Sequence, residues 1–201
     1  MTGAINAQER RDVGSFDVPN AFIQTLMGLM ANGSRKIVCL TDDAVNLLCK
    51  IDPSFTTYVV YVEFLYKSPH KRHKNVKECA HNVKRIQKVM YCSIKRAIYG
   101  MVTAALQWYR QWHQDLLWQG FDINPYDPCV ANKTVDGQQL TVVWHVDDGK
   151  VSHVNPDVIT RFIDWVDRMY GDDKLGHVTS VCGKVHDYLG MVLDYSEPGI
   201  L

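Results

Sequence analysis

The stretch from Thr141 to Val154, TVVWHVDDGKVSHV, decides how the rest of the chain is read. An apolar run ends in two adjacent acids, Asp147 and Asp148, followed by Gly149, Lys150 and a second β-rich run. Apolar or β-branched residues on both sides of an Asp-Gly pair are the pattern of a β-hairpin with the acids at its tip. Two carboxylates at a rigid tip can hold a divalent metal. Successive strand side chains point to opposite faces, so the two share one ion only if the turn redirects them. The other reading is an Asp-Gly turn with simply solvated acids. A third carboxylate elsewhere would decide between them.

Asp17 is the candidate for that third acid. Val13 to Phe16 reads as the end of a strand, Asp17-Val18-Pro19-Asn20 breaks it, and Ala21 to Met30 turns apolar with helical spacing. Asp17 or Asn20 could instead cap that helix. Phe22 would begin the helix close to whatever Asp17 binds, unless it is a core aromatic.

Ile37 to Leu40 reads as a short strand, Ala44 to Cys49 as a helical turn, and YVVYVEFLY (58–66) as the strongest β-forming run. A basic segment follows: between Lys67 and Lys88 there are eight Lys or Arg against one acid, Glu78, although the whole chain has no net charge. That asymmetry fits a face that meets a polyanion, or a solvated basic loop. A 3.6-residue period predicts a helix over about 76–89. After Gly100, Met101, Ala105, Trp108, Trp112 and Leu116 form a helical stripe that reads as core, ended by Gly120. A second hairpin is predicted around Asp136-Gly137. Asn155-Pro156-Asp157 is the start of a helix, with cap, first-position proline and early acid; Val158, Ile159, Phe162, Ile163, Val166 and Met169 make its buried face. GKVHDYLGMVLD (183–194) reads as one strand with a glycine in it.

A hydrophobic content of 46% excludes a wholly disordered chain, and 201 residues suffice for one compact unit with a peripheral insertion. The six cysteines are scattered, with no zinc-site spacing, as in a reducing compartment. No apolar run approaches the roughly 20 residues of a membrane span, and the opening residues lack an apolar leader. The order of strands and helices predicts an α+β fold, a polymerase palm-like antiparallel sheet with helices packed on one face.

Five stretches occur in one order: FDVPNAF (16–22), IKRAIYGMVTAALQWY (94–109), GFDINPYDPCVANK (120–133), VVWHVDD (142–148) and KVHDYLGM (184–191). On these the chain resembles, from about Arg11 to Tyr195, the reverse transcriptase domain of copia-type LTR retrotransposons, encoded inside the pol polyprotein. The resemblance implies an RNA-directed DNA polymerase in which Asp17, Val18, Asp147 and Asp148 bind metal and Asp17, Asp147 and Asp148 are catalytic. Mg²⁺ is the expected cation, with Mn²⁺ as the substitute. Transfer of a nucleotide to a primer 3′-hydroxyl calls for two such cations about 4 Å apart, and hard cations favour carboxylates.

The resemblance further implies that Phe22 is the steric gate favouring dNTPs, that Thr103 stands where the family has a glutamine contacting the nucleotide, and that Tyr188, Leu189 and Gly190 form the primer grip. Expected partners are an RNA template, a DNA primer, dNTP and the rest of a pol polyprotein, with no membrane. The expected location is intracellular: cytoplasmic retroelement particles, with entry to the nucleus. The chain departs from the pattern at His145, usually tyrosine, and at Val102 to Leu106, often Lys-Gln-Ala-Pro-Arg. The basic segment, about 67–93, has no counterpart and reads as an insertion. The whole, 1–201, reads as a partial domain: the fingers are incomplete, and thumb, connection and RNase H are lacking. The competing expectations are an inactive remnant that binds nucleic acid through Lys71, Arg72, Lys74, Lys84 and Arg85, and a small structural domain with no ligand.

Overall fold

A computed structural model describes residues 2–30, 32–67 and 82–197. In chain order the elements are α1 (Thr2–Gln8), β1 (Asp12–Asp17), α2 (Ala21–Gln24), β2 (Ile37–Thr41), α3 (Asp42–Ile51), a 3-10 turn (Pro53–Tyr58), β3 (Val60–Lys67), β4 (Asn82–Ser93), α4 (Val102–Trp118), β5 (Asp122–Ile123), β6 (Val130–Val135), β7 (Gln138–His145), β8 (Asp148–His153), α5 (Pro156–Tyr170), β9 (Thr179–Gly183), β10 (Val185–Tyr188) and β11 (Met191–Asp194). Every ladder is antiparallel, and strands do not alternate one for one with helices, so the fold is α+β. Among the described residues no helix is long and apolar enough to cross a membrane. The chain forms two compact units, one of Met1–Met27 with Arg96–Leu201 and one of Gly28–Lys95.

The first unit is built on a six-stranded sheet in the order β5-β6-β7-β8-β1-β9. Period-two alternation splits β1 between its faces: Gly14 and Phe16 on one, Val13, Ser15 and Asp17 on the other. The first face joins Val142, Trp144 and Val151 to Trp112 and Leu116 of α4 and to Phe162 and Val166 of α5 in a single core. The ring of Phe16 lies 6.1 Å from that of Trp112 and 5.8 Å from that of Phe162. Burying side chains of this size stabilises by about 1.5–3 kcal/mol each. On the opposite face Val13 meets Ala7 of α1 and Tyr195. Ser15 Oγ lies 3.2 Å from His186 Nδ1, which ties the β10–β11 hairpin to β1.

The ends of the two long helices follow their sequence signals. Asn155 accepts a hydrogen bond from the Asp157 amide at 2.9 Å with Pro156 in the first turn of α5. Gly120, at φ 79°, follows α4. In α4 the buried stripe runs through Ala104, Trp108, Trp112, Asp115 and Leu116, so Ala104 replaces the expected Ala105. In α5 Tyr170 is buried where Met169 was expected. The Tyr170 hydroxyl donates to the buried Asp115 carboxylate, which pulls the last turn inward.

The second unit carries the three-stranded sheet β2-β4-β3. Val45 of α3 and Val89 of β4 are fully buried in it, and the Asp42 carboxylate accepts from the Lys88 amide at 3.1 Å. Here the expected helix over 76–89 is overturned: residues 82–93 are strand, and 76–81 lie outside the described residues. Ile86, counted on the helical stripe, is exposed, whereas the neighbours Val89 and Met90 are both buried. Two partner strands, one on each side, outweigh a local period. Two smaller expectations also change. The helix from Ala21 ends at Gln24, because Leu26 extends to bridge Arg96 and the Thr25 carbonyl accepts the Ala97 amide. Residues 185–194 are a hairpin, since Leu189 and Gly190 both take positive φ and reverse the chain.

Candidate active site

The acidic hairpin is present, but its turn lies two residues earlier than Asp148-Gly149. His145 pairs with Asp148, leaving Val146 and Asp147 as the turn, with Asp148 and Gly149 inside β8. Val146 has φ 59° and Asp147 is not in the positive region, the pattern of a type II′ turn. Glycine usually fills the first position of such a turn. A β-branched residue there stores strain on the order of 1–3 kcal/mol. Two hydrogen bonds hold the strained turn: the Trp108 indole Nε1–H donates to the Val146 carbonyl at 2.5 Å, and the Val18 amide donates to the Asp147 carbonyl at 3.1 Å. Gly149 is needed for close packing instead of turning, since a Cβ there would stand 2.0 Å from Phe16 Cζ.

Asp17 is the last residue of β1 and lies directly opposite Asp148. Opposed side chains on neighbouring strands have Cβ atoms about 4.5–5.5 Å apart, and like charges so placed repel. The Asp17 carboxyl is correspondingly raised above the usual carboxylate range, by burial first, then by Asp147, then by Asp148. Asp17 does not cap the helix, and Asn20 holds the N-cap position without a side-chain capping bond. Asp17 belongs to the strand, and Asn20 stands at the helix start with φ 53° while its Nδ2 donates to the Leu175 carbonyl at 2.8 Å.

Among the described residues, no group of three or more His, Cys, Asp or Glu side chains closes into a ready-made metal site. The donor chemistry nevertheless fits a hard cation. Asp17, Asp147 and Asp148 are hard oxygen donors gathered where β1 ends beside the β7–β8 turn, the kind of ligand such a cation prefers. Asp17 and Asp148 also line an open cleft of about 200 Å³ with Ser15, Asp187 and Tyr188. A larger cavity of about 550 Å³ lies under α1, lined by Ile5, Tyr126, Val130, Asn132, Gln139 and Thr141 among others, away from the acids.

Tyr188 brings the β10–β11 hairpin to the acid cleft. Its phenol is pushed up to about 12 by burial, then by Asp148 and Cys129, and its hydroxyl has no hydrogen-bond partner among the described residues. Leu189 and Gly190 form the tip of that hairpin. Beside Tyr188 stands Lys150, whose Nζ lies 5.8 Å from the ring centroid and whose ammonium is lowered by burial. Phe22, the second residue of α2, is half-buried with its ring 4.8 Å from that of Tyr99. Thr103 is half-buried in the first turn of α4.

Sequence reasoning did not single out Tyr99, Lys150 or the Ser15–His186 pair. The Tyr99 hydroxyl is raised by burial and then by Asp147 and Asp17, which marks it as a neighbour of the acids. Its only signal was membership of the IKRAIYGM stretch. Of the expected phosphate-binding residues, Lys71, Arg72 and Lys74 lie outside the described residues. Lys84 and Arg85 stand exposed on β4 in the second unit, Lys84 on Glu63 at 2.8 Å and Arg85 near Asp42 at 3.9 Å. Exposed pairs of this kind are worth about 0–1 kcal/mol and release easily to a competing anion. Compared with known proteins, the chain matches no family model and no curated protein.

Proposed function

We propose that the first unit is the palm of an RNA-directed DNA polymerase of the copia-type retrotransposon kind. The observation that carries this reading is the placement of three carboxylates at the ends of two paired inner strands of an antiparallel sheet. Asp17 and Asp148 face each other on paired strands, and Asp147 rides on the turn bound to Val18. The two long helices cover the other face of that sheet, and on the acid side Asp17 and Asp148 open into the cleft beside Tyr188.

In this reading Asp17, Asp147 and Asp148, with the carbonyl of Val18, would hold divalent cations, Mg²⁺ or Mn²⁺. When bound there, such cations would supply Lewis-acid polarisation of the dNTP α-phosphate, activation of the primer 3′-hydroxyl and charge neutralisation for the pyrophosphate. The chain's own residues orient the reactants. Phe22, backed by Tyr99, crowds the sugar and favours dNTPs, and Thr103 lies in the helix start that meets the nucleotide. Tyr188, Leu189 and Gly190 steady the primer beside the acid cleft, while the template lies across the sheet. The protein would act within a longer pol polyprotein, in cytoplasmic particles and the nucleus.

A second reading, an inactive remnant that only binds nucleic acid, is favoured by the lack of a closed three-residue metal group among the described residues. Lys84 and Arg85 would then serve phosphates in a salt-dependent way. Primer extension on an RNA template with Mg²⁺ or Mn²⁺ separates the two. Wild-type chain should extend, and Asp147→Asn should lose more than the roughly 10–100-fold typical of losing a supporting outer group. Extension retained by Asp147→Asn removes the mechanism. Salt-sensitive binding with no synthesis by the wild type selects the remnant.

A further inference from the structure

The three buried tryptophans of the first unit differ in one respect. The indole N–H groups of Trp112 and Trp144 have no partner among the described residues, while that of Trp108 donates to the Val146 carbonyl at 2.5 Å. That carbonyl belongs to the central peptide of the acid turn. In a two-residue hairpin, flipping the central peptide converts a type II′ turn into type I′, moves the second residue to positive φ and swings its side chain. Val146 gives no local preference for type II′, which favours glycine at that position.

From this we infer that Trp108 is a positioning residue that locks the acid turn in its type II′ form and so aims Asp147 toward Asp17. The lock is anchored in the core. Trp108 is 2% exposed, stacked on Trp112 at 6.0 Å and 21°, and edge-on to Tyr170 at 5.1 Å. Tyr170 is itself held by Asp115, which Gln111 grips from the same helix. The Val18 amide on the Asp147 carbonyl ties down the far side of the turn but leaves the central peptide free to rotate. The aromatic stripe of α4 therefore does more than fill the core: one of its members sets the conformation of a turn between two inner strands. The role of Asp147 as a metal ligand rests on the function proposed above, whereas the turn lock does not.

The test uses the full chain and Trp108→Phe, which keeps an aromatic ring and removes the N–H. Amide exchange over 145–149 should quicken at least about tenfold while the Leu116 region of α4 stays protected, because only the turn loses its tether. The Mn²⁺ dissociation constant, read by titration without substrate, should rise at least about threefold, about 0.65 kcal/mol at 1.36 kcal/mol per factor of ten. Adding Val146→Gly should restore both readouts, since glycine prefers the type II′ form unaided. A purely structural Trp108 would show equal loosening of turn and helix with no rescue, and that result overturns the inference. Wild-type chain that binds no Mn²⁺ but shows the exchange pattern and its rescue defeats the proposed function and leaves the lock standing. If Trp108→Phe does not fold, the wild-type indole N–H of Trp108 decides by NMR: exchange as fast as that of exposed Trp118 overturns the lock, and slow exchange supports it.

Discussion

Replacing Gly149 by alanine puts a methyl group into space that Phe16 already fills. Gly149 is opposite Phe16 on β1 and opposite Trp144 on β7. Its added Cβ would stand 2.0, 2.4 and 2.5 Å from three ring carbons of Phe16. Ordinary carbon contacts are about 3.5–4.0 Å, so the ring must retreat by roughly 1.5 Å. Behind it stand the rings of Trp112 and Phe162, both in the buried core, which is packed too densely to receive it. Overpacking a core typically costs about 1–3 kcal/mol. Overlap with three ring atoms at once places Gly149→Ala at the top of that range, about 3 kcal/mol, against which the entropic gain of losing a glycine is about 0.5–1 kcal/mol. A net loss of about 2–2.5 kcal/mol lowers Tm by roughly 4–10 °C for a chain of this size. Urea titration followed by tryptophan fluorescence measures it directly, and Phe16→Leu added to the variant should recover part of the loss. Stability within about 0.5 kcal/mol of wild type, the range of neutral surface changes, refutes this account of the β1–β8 packing.

Two further perturbations test the electrostatics of the acid cleft. In chelator, Asp17→Asn should stabilise the chain at neutral pH by about 0.2–1 kcal/mol, the size of a cross-strand charge term. The raised Asp17 carboxyl makes the folded state bind its proton more tightly than the unfolded chain does, so wild-type stability falls as pH climbs from the ordinary carboxylate value through the raised one. The asparagine variant should lack that fall, and a variant less stable than wild type across that range contradicts the repulsion. The Tyr188 phenol holds its proton to about 12 whereas an unfolded tyrosine ionises near 10.0. The unfolded state loses its proton first, so stability falls between those values as pH rises, and Tyr188→Phe should flatten the fall in an alkaline unfolding series. An unchanged slope in that variant places the phenol in water.

Much of this arrangement could be read from residue patterns where a local rule and the tertiary structure agree. The Asn155-Pro156-Asp157 start, the Asp136-Gly137 hairpin and the tryptophan stripe each involve a short-range cause that the fold then uses. The misreadings arose where a distant partner decided. Gly149 looked like a turn residue because Asp-Gly is a turn signal, yet its reason for being glycine is a ring on a strand far earlier in the chain. The strand over 82–93 was hidden because alternate and helical periods blur when both sheet faces carry apolar groups, and Ile86 stays exposed. The 185–194 hairpin turns on a leucine at φ 53°, a conformation leucine does not advertise. In the candidate site the placement of the acids was legible, Asp17 closing β1 and Asp147 and Asp148 lying at the tip of a hairpin. Tyr99 and Lys150 were not, because a tyrosine in a loop and a lysine in a strand acquire meaning only from what folds against them.

The placement of β1 also sets the order in which the molecule can be made. β1 is an inner strand, yet its ladder partners on β8 lie more than 130 positions later and those on β9 more than 160. At about 5–20 residues per second, a ribosome needs roughly 7–26 s to supply the first of them. During that interval the β2-β4-β3 unit, whose pairings are closer in sequence, can finish, while β1 waits without a ladder. Closure of the first unit is therefore a long-range step of the kind that slows folding. Asp17 meets Asp148 only when β1 enters its slot between β8 and β9. Their repulsion thus acts on the completed sheet and not on earlier species, so relieving it should slow the escape of β1 instead of hastening its arrival.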